Sequence, residues 1–319
     1  MIRGINLGDN SEKEIDPTLL QDLALDNIWL EITNPTENEL QGIADKIGLS
    51  RHFLELPETD GAVNLRLEDD YSIINFLMVQ DLTSTYETQP IVLVFSKAFL
   101  VTVSRGISQP VMDMAKERMS KTKVDPPAQV AYFIIDEIVS SHFGQMEKLE
   151  ELASSIEEEV VEKTSPNTLR KIFNLKSRLV NFNKTLWYER GLIFNLKTCG
   201  DACMPAKTRS LFDTTHEDLT RQIDIVETYR EIMSDAINVH LSAVSNKINL
   251  SIQSLTVVIF YLTIITTVTA FPNTVATFFG ISRFGNTDVW IIVAAIAVSI
   301  ILPFVWLWRK NWLKYRSNL

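Results

Sequence analysis

Hydrophobic and polar residues are distributed unevenly along the 319-residue chain, and the two longest uncharged runs lie near its end. No charged side chain occurs from Ile248 to Ser282 or from Val289 to Trp308. Each run is long enough for a helix to cross the hydrocarbon core of a bilayer, which takes about 20 residues. Because residues 282–288 are too few to form a domain, the pattern predicts an antiparallel pair of transmembrane helices, with both chain ends on one side.

The residues that flank the second run indicate which side that is. Basic residues follow it directly, at Arg309, Lys310, Lys314 and Arg316, and the positive-inside rule places such residues in the cytoplasm. The first residues contain no apolar signal segment. We therefore expect a multi-pass protein of the inner (plasma) membrane whose amino and carboxyl termini are cytoplasmic.

The first 126 residues have the mixed pattern of an α/β domain. Runs rich in β-branched and aromatic residues predict strands at 28–32, 63–67, 72–79, 91–95 and 99–103. After the first strand, a capping box formed by Thr36 and Glu39 predicts a helix that ends near Gly48. The last two strands bracket a short turn around Lys97 and are expected to form a hairpin.

From residue 127 onward the apolar pattern becomes helical. Long helices are predicted over 130–162 and 166–197, the second with Ser165 as its N-cap. A third begins near Thr214 and meets neither Gly nor Pro until Pro272. The predicted segments are an α/β domain at 1–126, a stalk of long helices at 127–250, a first transmembrane helix at 251–281, a periplasmic loop at 282–288, a second transmembrane helix at 289–308 and a basic tail at 309–319.

The third helix carries a polar stripe. Steps that alternate four and three residues visit twelve positions, of which nine are small hydroxyl or amide residues. A repeat that averages 3.5 residues keeps such a stripe on one face of a supercoiled helix. We assign the stripe to a cytoplasmic pore entrance (Asn238, Ser242, Ser245) and to a pore lining (Asn249, Ile252, Thr256, Ile259, Thr263, Thr266, Ala270, Asn273, Thr277).

Polar side chains in hydrocarbon are costly and usually face a protein interior or a water-filled path. Since one helix cannot enclose such a path, the stripe predicts a symmetric homo-oligomer with a central pore, in which Ile252 and Ile259 form apolar rings that close it by dewetting. The alternative is that the Ser and Thr side chains only allow close helix packing or bond to their own backbone carbonyls.

The charge and the motif content narrow the classes of function. A formal net charge of −10 argues against a sequence-independent nucleic-acid binder, which needs a basic face, and favours cations as partners. The two cysteines, Cys199 and Cys203, have no His beside them and are interpreted as thiols rather than zinc ligands. Because the sequence shows no Gly-rich phosphate loop, HExxH motif or nucleophile elbow, we expect no enzyme, no catalytic residue and no cofactor.

Three segments in the last third of the chain form a recognisable set. Residues 240–249 read HLSAVSNKIN, two short runs beginning at Leu255 and Thr263 each match part of an LTII sequence, and the tail begins RKNWL at Arg309. They resemble the CorA family of magnesium and divalent metal-ion transporters, and the resemblance covers nearly the whole chain. It implies a funnel-shaped homopentamer with an α+β cytoplasmic domain, a long helical stalk and two C-terminal transmembrane helices.

The signature tetrapeptide of that family, Tyr-Gly-Met-Asn, is not present in this sequence. The best match to this pore-mouth motif is Phe279, Gly280, Ile281 and Ser282. This alignment makes the helix about one heptad longer than is usual in the family, and it leaves Asn273 to supply an amide ring one level deeper. A second alignment needs no insertion and puts the motif near Asn273 itself.

Two acidic sites of the family also differ. Asn238 stands where the family has an acidic ring at the cytoplasmic entrance, and Thr214 stands where an Asp binds inhibitory metal between subunits. Asp213 and Glu217 lie close by and are candidates for a regulatory metal site, although solvated carboxylates on a helix face are the more common case.

The resemblance and the stripe together predict a channel for hydrated divalent cations, Mg²⁺ above all, with Co²⁺, Ni²⁺ and Zn²⁺ as further cargo. The expected partners are copies of the same chain, the lipid bilayer and the transported cation, which is also the candidate regulatory ion. A non-conducting, membrane-anchored oligomeric scaffold or sensor is the alternative.

Overall fold

The computed structural model places most of the chain up to residue 278 and a few positions beyond it. The residues it describes are 1–17, 20, 23–57, 63–68, 70–84, 86–122, 127–162, 165–201, 203–278 and isolated positions between 290 and 305. The described part divides into two compact units, Met1–His240 and Leu241–Leu319.

A seven-stranded mixed sheet forms one layer of the first unit, in the order β2-β1-β3-β7-β6-β5-β4. Its strands are β1 (Ile2–Asn6), β2 (Glu12–Glu14), β3 (Ile28–Thr33), β4 (Asn64–Glu68), β5 (Tyr71–Asp81), β6 (Glu87–Phe95) and β7 (Phe99–Ser104). β3 and β7 are parallel neighbours, and the other neighbouring pairs are antiparallel. The five strands predicted from sequence are therefore confirmed, with the hairpin between β6 and β7, whereas β1 and β2 were not predicted.

Helix α1 (Glu37–Ile47) begins and ends as its sequence predicts. The Thr36 side chain accepts a hydrogen bond from the backbone N–H of Glu39, and the Glu39 carboxylate accepts one from the N–H of Thr36. Gly48 has a φ of 72°, the left-handed conformation that ends many helices and that glycine adopts at low cost. The two caps therefore fix this helix at its place after β3.

Five α-helices of the described part follow the sheet in the chain, and residues of four of them pack on one of its faces. They are α2 (Gln109–Lys121), α3 (Pro127–Glu162), α4 (Pro166–Thr198), the short α5 (Ala206–Arg209) and α6 (Phe212–Phe278). The Ser165 side chain caps α4 by accepting from the N–H of Thr168, as predicted. Buried residues of α2, α3, α4 and α6 join Trp29, Phe76 and Leu100 of the sheet in one hydrophobic core, so the segments on either side of residue 126 pack as one unit.

A buried hydrogen bond ties the two parallel strands together. Trp29 Nε1 of β3 donates to Thr102 Oγ1 of β7 over 2.9 Å, and both side chains are fully buried. The bond satisfies an indole N–H that has no access to water.

We expect Thr102→Val to destabilise the fold by about 1–3 kcal/mol, because it leaves the buried indole N–H of Trp29 without an acceptor. The measurement is chemical unfolding of the detergent-solubilised chain, followed by tryptophan fluorescence. Thr102→Ser keeps the hydroxyl and serves as the control. A valine variant as stable as wild type would contradict the assigned role of this bond.

Candidate pore-lining helix

The apolar part of α6 is largely exposed within the single chain. Ile252 and Tyr261 point in opposite directions around the helix, and each has more than half of its surface exposed. Phe260, Ile264 and Val268 follow one another at four-residue steps on one face and are partly buried. The stretch Ala206–Ala270, most of which is α6, is long and apolar enough to cross a membrane, and none of its apolar window is buried. An exposed apolar surface of this length requires lipid or other helices as its surroundings.

The stripe residues lie on this helix. Every predicted pore-lining position from Asn249 to Thr277 is helical and exposed in the single chain. Because most positions outside the stripe are exposed as well, exposure does not identify the stripe as a pore lining, and that assignment stays a prediction.

The threonine hydroxyls of the stripe bond to the helix itself. Thr256 Oγ1 donates to the carbonyl of Ile252 over 2.8 Å, and Thr263 Oγ1 donates to the carbonyl of Ile259 over 2.8 Å. Hydroxyls away from the stripe do the same, as Ser254 and Thr269 show at 3.0 Å each. This is one of the two arrangements anticipated from sequence.

A back-bonded hydroxyl still has lone pairs to offer. Its single proton is directed to the carbonyl one turn earlier, so the oxygen presents acceptor sites to whatever lies beside the helix. Such oxygens can accept hydrogen bonds from the water shell of a cation. The observed geometry is therefore compatible both with helix packing and with a wet path.

Asn273 lies within α6, which continues past Pro272 to Phe278, and its side chain is exposed. The alternative pore-mouth residues Phe279, Gly280, Ile281 and Ser282 lie outside the described residues, as do the loop at 282–288 and the tail at 309–319. Both alignments of the signature thus stay predictions.

The predicted cytoplasmic entrance lies on the same helix. Asn238, Ser242 and Ser245 are all exposed helical residues. The assignment of an entrance to them stays a prediction.

The candidate regulatory carboxylates lie near the start of α6. Asp213 Oδ1 is 2.7 Å from Lys197 Nζ of α4, so this carboxylate is already paired with a cation. Glu217 is exposed. Burial, together with the positive charges of Lys197 and Arg190, lowers the pKa of nearby His216. Among the described residues no group of three or more His, Cys, Asp or Glu side chains is arranged to hold a metal ion.

A buried polar group that sequence analysis missed joins α3, α4 and α6. His142 and Glu189 are fully buried, and His142 Nδ1 lies 3.7 Å from Glu189 Oε2 and 3.2 Å from Gln222 Oε1. Gln222 Nε2 donates to the carbonyl of Val139 over 2.9 Å. Within the described residues neither Glu189 oxygen has a hydrogen-bond partner. Burial raises the pKa of Glu189 well above its usual value and lowers that of His142 to about 4, so burial favours the neutral form of each group.

Comparison with known proteins identifies relatives over most of this chain. A family model described as CorA-like Mg²⁺ transporter protein matches residues 25–310. The cobalt/magnesium transport protein CorA of Thermotoga maritima is 28% identical over 179 residues, which are 54% of this chain and 50% of that protein. This match therefore spans half the length of that relative. The protein of the same name from Methanocaldococcus jannaschii is 24% identical over 317 residues, or 95% of this chain and 96% of that protein.

Solved structures show the same fold. The complete structure of the CorA magnesium transporter from Methanocaldococcus jannaschii superposes with a TM-score of 0.73 at 20% identity and covers 98% of each chain. The structure of the full-length CmaX protein gives a TM-score of 0.70 at 16% identity and covers 97% of this chain and 96% of that one. The predicted architecture of an α/β domain followed by a long helix is confirmed.

Proposed function

The chain belongs to the CorA-like Mg²⁺ transporter family, a family of divalent-cation transporters, and from that membership we propose that it forms a membrane channel for hydrated divalent cations. Mg²⁺ is the proposed main cargo, with Co²⁺, Ni²⁺ and Zn²⁺ as further candidates. The observation that carries the proposal is the polar stripe on α6, a continuous helix of 67 residues whose apolar part is largely exposed in the single chain. No residue is assigned a catalytic role.

The proposed assembly is a homopentamer in the inner (plasma) membrane. Copies of α6 surround a central axis and turn the stripe inward, while the apolar faces pack against a second transmembrane helix at 289–308 and against lipid. The basic tail at 309–319 and the amino terminus are proposed to be cytoplasmic, because basic residues next to a span favour that side.

The proposed mechanism follows from the chemistry of Mg²⁺. This ion gives up its water reluctantly, so neutral hydroxyl and amide oxygens that accept from the water shell suit it better than ligands that replace the shell. Back-bonded Thr256 and Thr263 offer such acceptors, and Asn273 or Ser282 is proposed to select the ion at the outer mouth. Rings of Ile252 and Ile259 are proposed to close the path by dewetting.

The proposed driving force is the membrane potential, which is worth about 2.3 kcal/mol per elementary charge per 100 mV. A divalent cation gains about twice that amount on entering a negative interior. Asp213 and Glu217 are retained as the candidate regulatory site, with the pairing of Asp213 to Lys197 as the contact that metal must displace.

Flux through the purified full-length chain tests the proposal. We expect liposomes that contain it to take up Mg²⁺ when their interior is made negative, with uptake lost when the potential is collapsed. The mass of the detergent-solubilised complex, measured with and without Mg²⁺, is expected to be that of five chains. An oligomer that inserts into liposomes but carries no divalent cation would instead support the scaffold alternative, which the back-bonded hydroxyls also suit.

A further inference from the structure

A cavity of about 890 Å³ opens at one edge of the α/β domain, within the unit Met1–His240. It is bounded by the turn after β3, the first half of α1, residues 51–57, the edge strand β4 with its neighbour β5, and the end of β7. The proposed transport function makes no use of it. Its volume lies within the range of about 300–1,000 Å³ that is typical of small-molecule sites.

The cavity lies where two parallel strands send the chain to opposite faces of the sheet. β3 leads into α1, whose buried residues pack with Leu30 and Val101 on one face. β7 leads into α2, whose buried residues pack with Trp29 and Leu100 on the other face. In open α/β sheets, ligands bind in the crevice that forms at the carboxyl ends of strands at such a point.

The two strand ends at this crevice are held in a fixed arrangement. Asn34 has a φ of 49°, and its N–H donates to the carbonyl of Ser104 over 2.9 Å. Asn34 Oδ1 accepts from the N–H of Gly106 over 3.1 Å, and a Cβ at Gly106 would lie only 3.2 Å from the Asn34 amide. The backbone on both sides of Arg105 is thus positioned before any ligand arrives.

Among the described residues that line the cavity, three arginines accompany two carboxylates. Arg51 is matched by two carboxylates, at 3.6 Å from Glu37 and 3.0 Å from Glu55. The guanidinium groups of Arg66 and Arg105 form no ion pair with any residue that the structure describes, although the chain as a whole carries a net charge of −10. The Arg66 guanidinium lies 6.0 Å from the centroid of the Phe53 ring, which gives the cavity an aromatic wall.

We propose that this cavity binds a small phosphate-bearing anion the size of a nucleotide, with Arg66 and Arg105 as its charged contacts and Phe53 as its apolar wall. The planar fork of arginine suits the oxygens of phosphate, to which it donates two parallel hydrogen bonds. Because Glu37 and Glu39 occupy the first turn of α1, the anion is held by the two arginines rather than by the helix N-terminus. Binding here does not require ion conduction.

The experiment is calorimetric titration of the full-length chain in detergent, without Mg²⁺, using sodium pyrophosphate, adenosine triphosphate and uncharged adenosine as probes. We expect both phosphate compounds to bind and adenosine to bind at least tenfold more weakly. The double variant Arg66→Gln with Arg105→Gln is expected to weaken phosphate binding at least tenfold. Arg221→Gln removes an exposed arginine that does not line the cavity and is expected to bind as wild type does.

Three outcomes would overturn the proposal. They are no binding of either phosphate compound to wild type, binding to the double variant within twofold of wild type, and tight binding of a tricarboxylate such as citrate where pyrophosphate does not bind. Because the titration requires no membrane potential and no flux, its result is independent of whether the chain conducts Mg²⁺.

Discussion

Replacing Thr256 and Thr263 together by valine is expected to lower Mg²⁺ flux into liposomes by about tenfold or more, which corresponds to about 1.4 kcal/mol in the barrier. Each valine replaces a hydroxyl by a methyl group of similar shape, so the helix keeps its packing. What is lost is an acceptor oxygen for the water shell of the ion, at two levels that border the apolar ring of Ile259. A longer apolar stretch of pore dewets more readily.

A matched pair away from the stripe controls for general effects on the helix. Ser254 and Thr269 bond to the helix backbone in the same way as the stripe hydroxyls. Because successive residues of a helix are rotated by about 100° about its axis, the side chains of Ser254 and Thr269 point about 90° or more away from the centre of the stripe. Ser254→Ala with Thr269→Val is therefore expected to retain flux within twofold of wild type. Equal losses in the two double variants would show that the stripe faces no water path, and the pore assignment would have to be abandoned.

Replacing Glu189 by Gln is expected to raise the stability of the unit Met1–His240, by an amount that grows with pH. The carboxyl is fully buried beside His142, and burial raises its pKa well above the ordinary value of 4.5. Its contribution to stability is therefore present in full below pH 4.5 and is lost as pH rises through the folded-state pKa. Between the ordinary pKa of 4.5 and the raised pKa of the folded state, stability falls by about 1.4 kcal/mol for each pH unit.

His142 is expected to lower the stability of the same unit at acidic pH. Burial lowers its pKa from 6.5 to about 4, so its contribution is complete above pH 6.5 and is lost as pH falls through 4. Wild type is thus expected to lose stability on both sides of an optimum. Glu189→Gln removes only the alkaline limb.

The measurement is the midpoint of thermal unfolding in detergent across pH 5 to 9. The control is Glu151→Gln, which neutralises an exposed carboxylate on α3 and is expected to change the midpoint by the same small amount at every pH. A constant difference between Glu189→Gln and wild type across this range would contradict a raised pKa for the buried carboxyl.

Local sequence signals were sufficient for most elements of the first unit. The capping box of Thr36 and Glu39 and the N-cap Ser165 act within a few residues, so their sequence spacing alone locates the helix starts. The hairpin of β6 and β7 was predicted for the same reason, because a short polar turn separates two apolar runs. Strands β1 and β2 and helix α2 were not predicted, since their few residues gain stability mainly from the sheet and core that they contact.

The candidate sites also differ in whether the sequence alone reveals them. The stripe on α6 is visible in the sequence because a 3.5-residue repeat is a property of one helix. The pair of His142 and Glu189 joins residues 47 positions apart on two helices, and no local pattern distinguishes them from surface residues. The cavity with Arg66 and Arg105 likewise collects residues from separate strands and turns.

The sequence by itself determined the element types along most of the chain, the resemblance to the CorA family and the polar stripe along one face of α6. It could do so because the hydrophobic repeat of a helix and the residues that cap it involve only near neighbours in the chain. Only the tertiary structure decided which titratable groups are buried away from water and which charged groups have an ion-pair partner. Desolvation depends on what other segments bring to a residue. The raised pKa of Glu189 was therefore evident only once the chain was folded, as was the lack of an ion pair for Arg66 and Arg105 within the described residues.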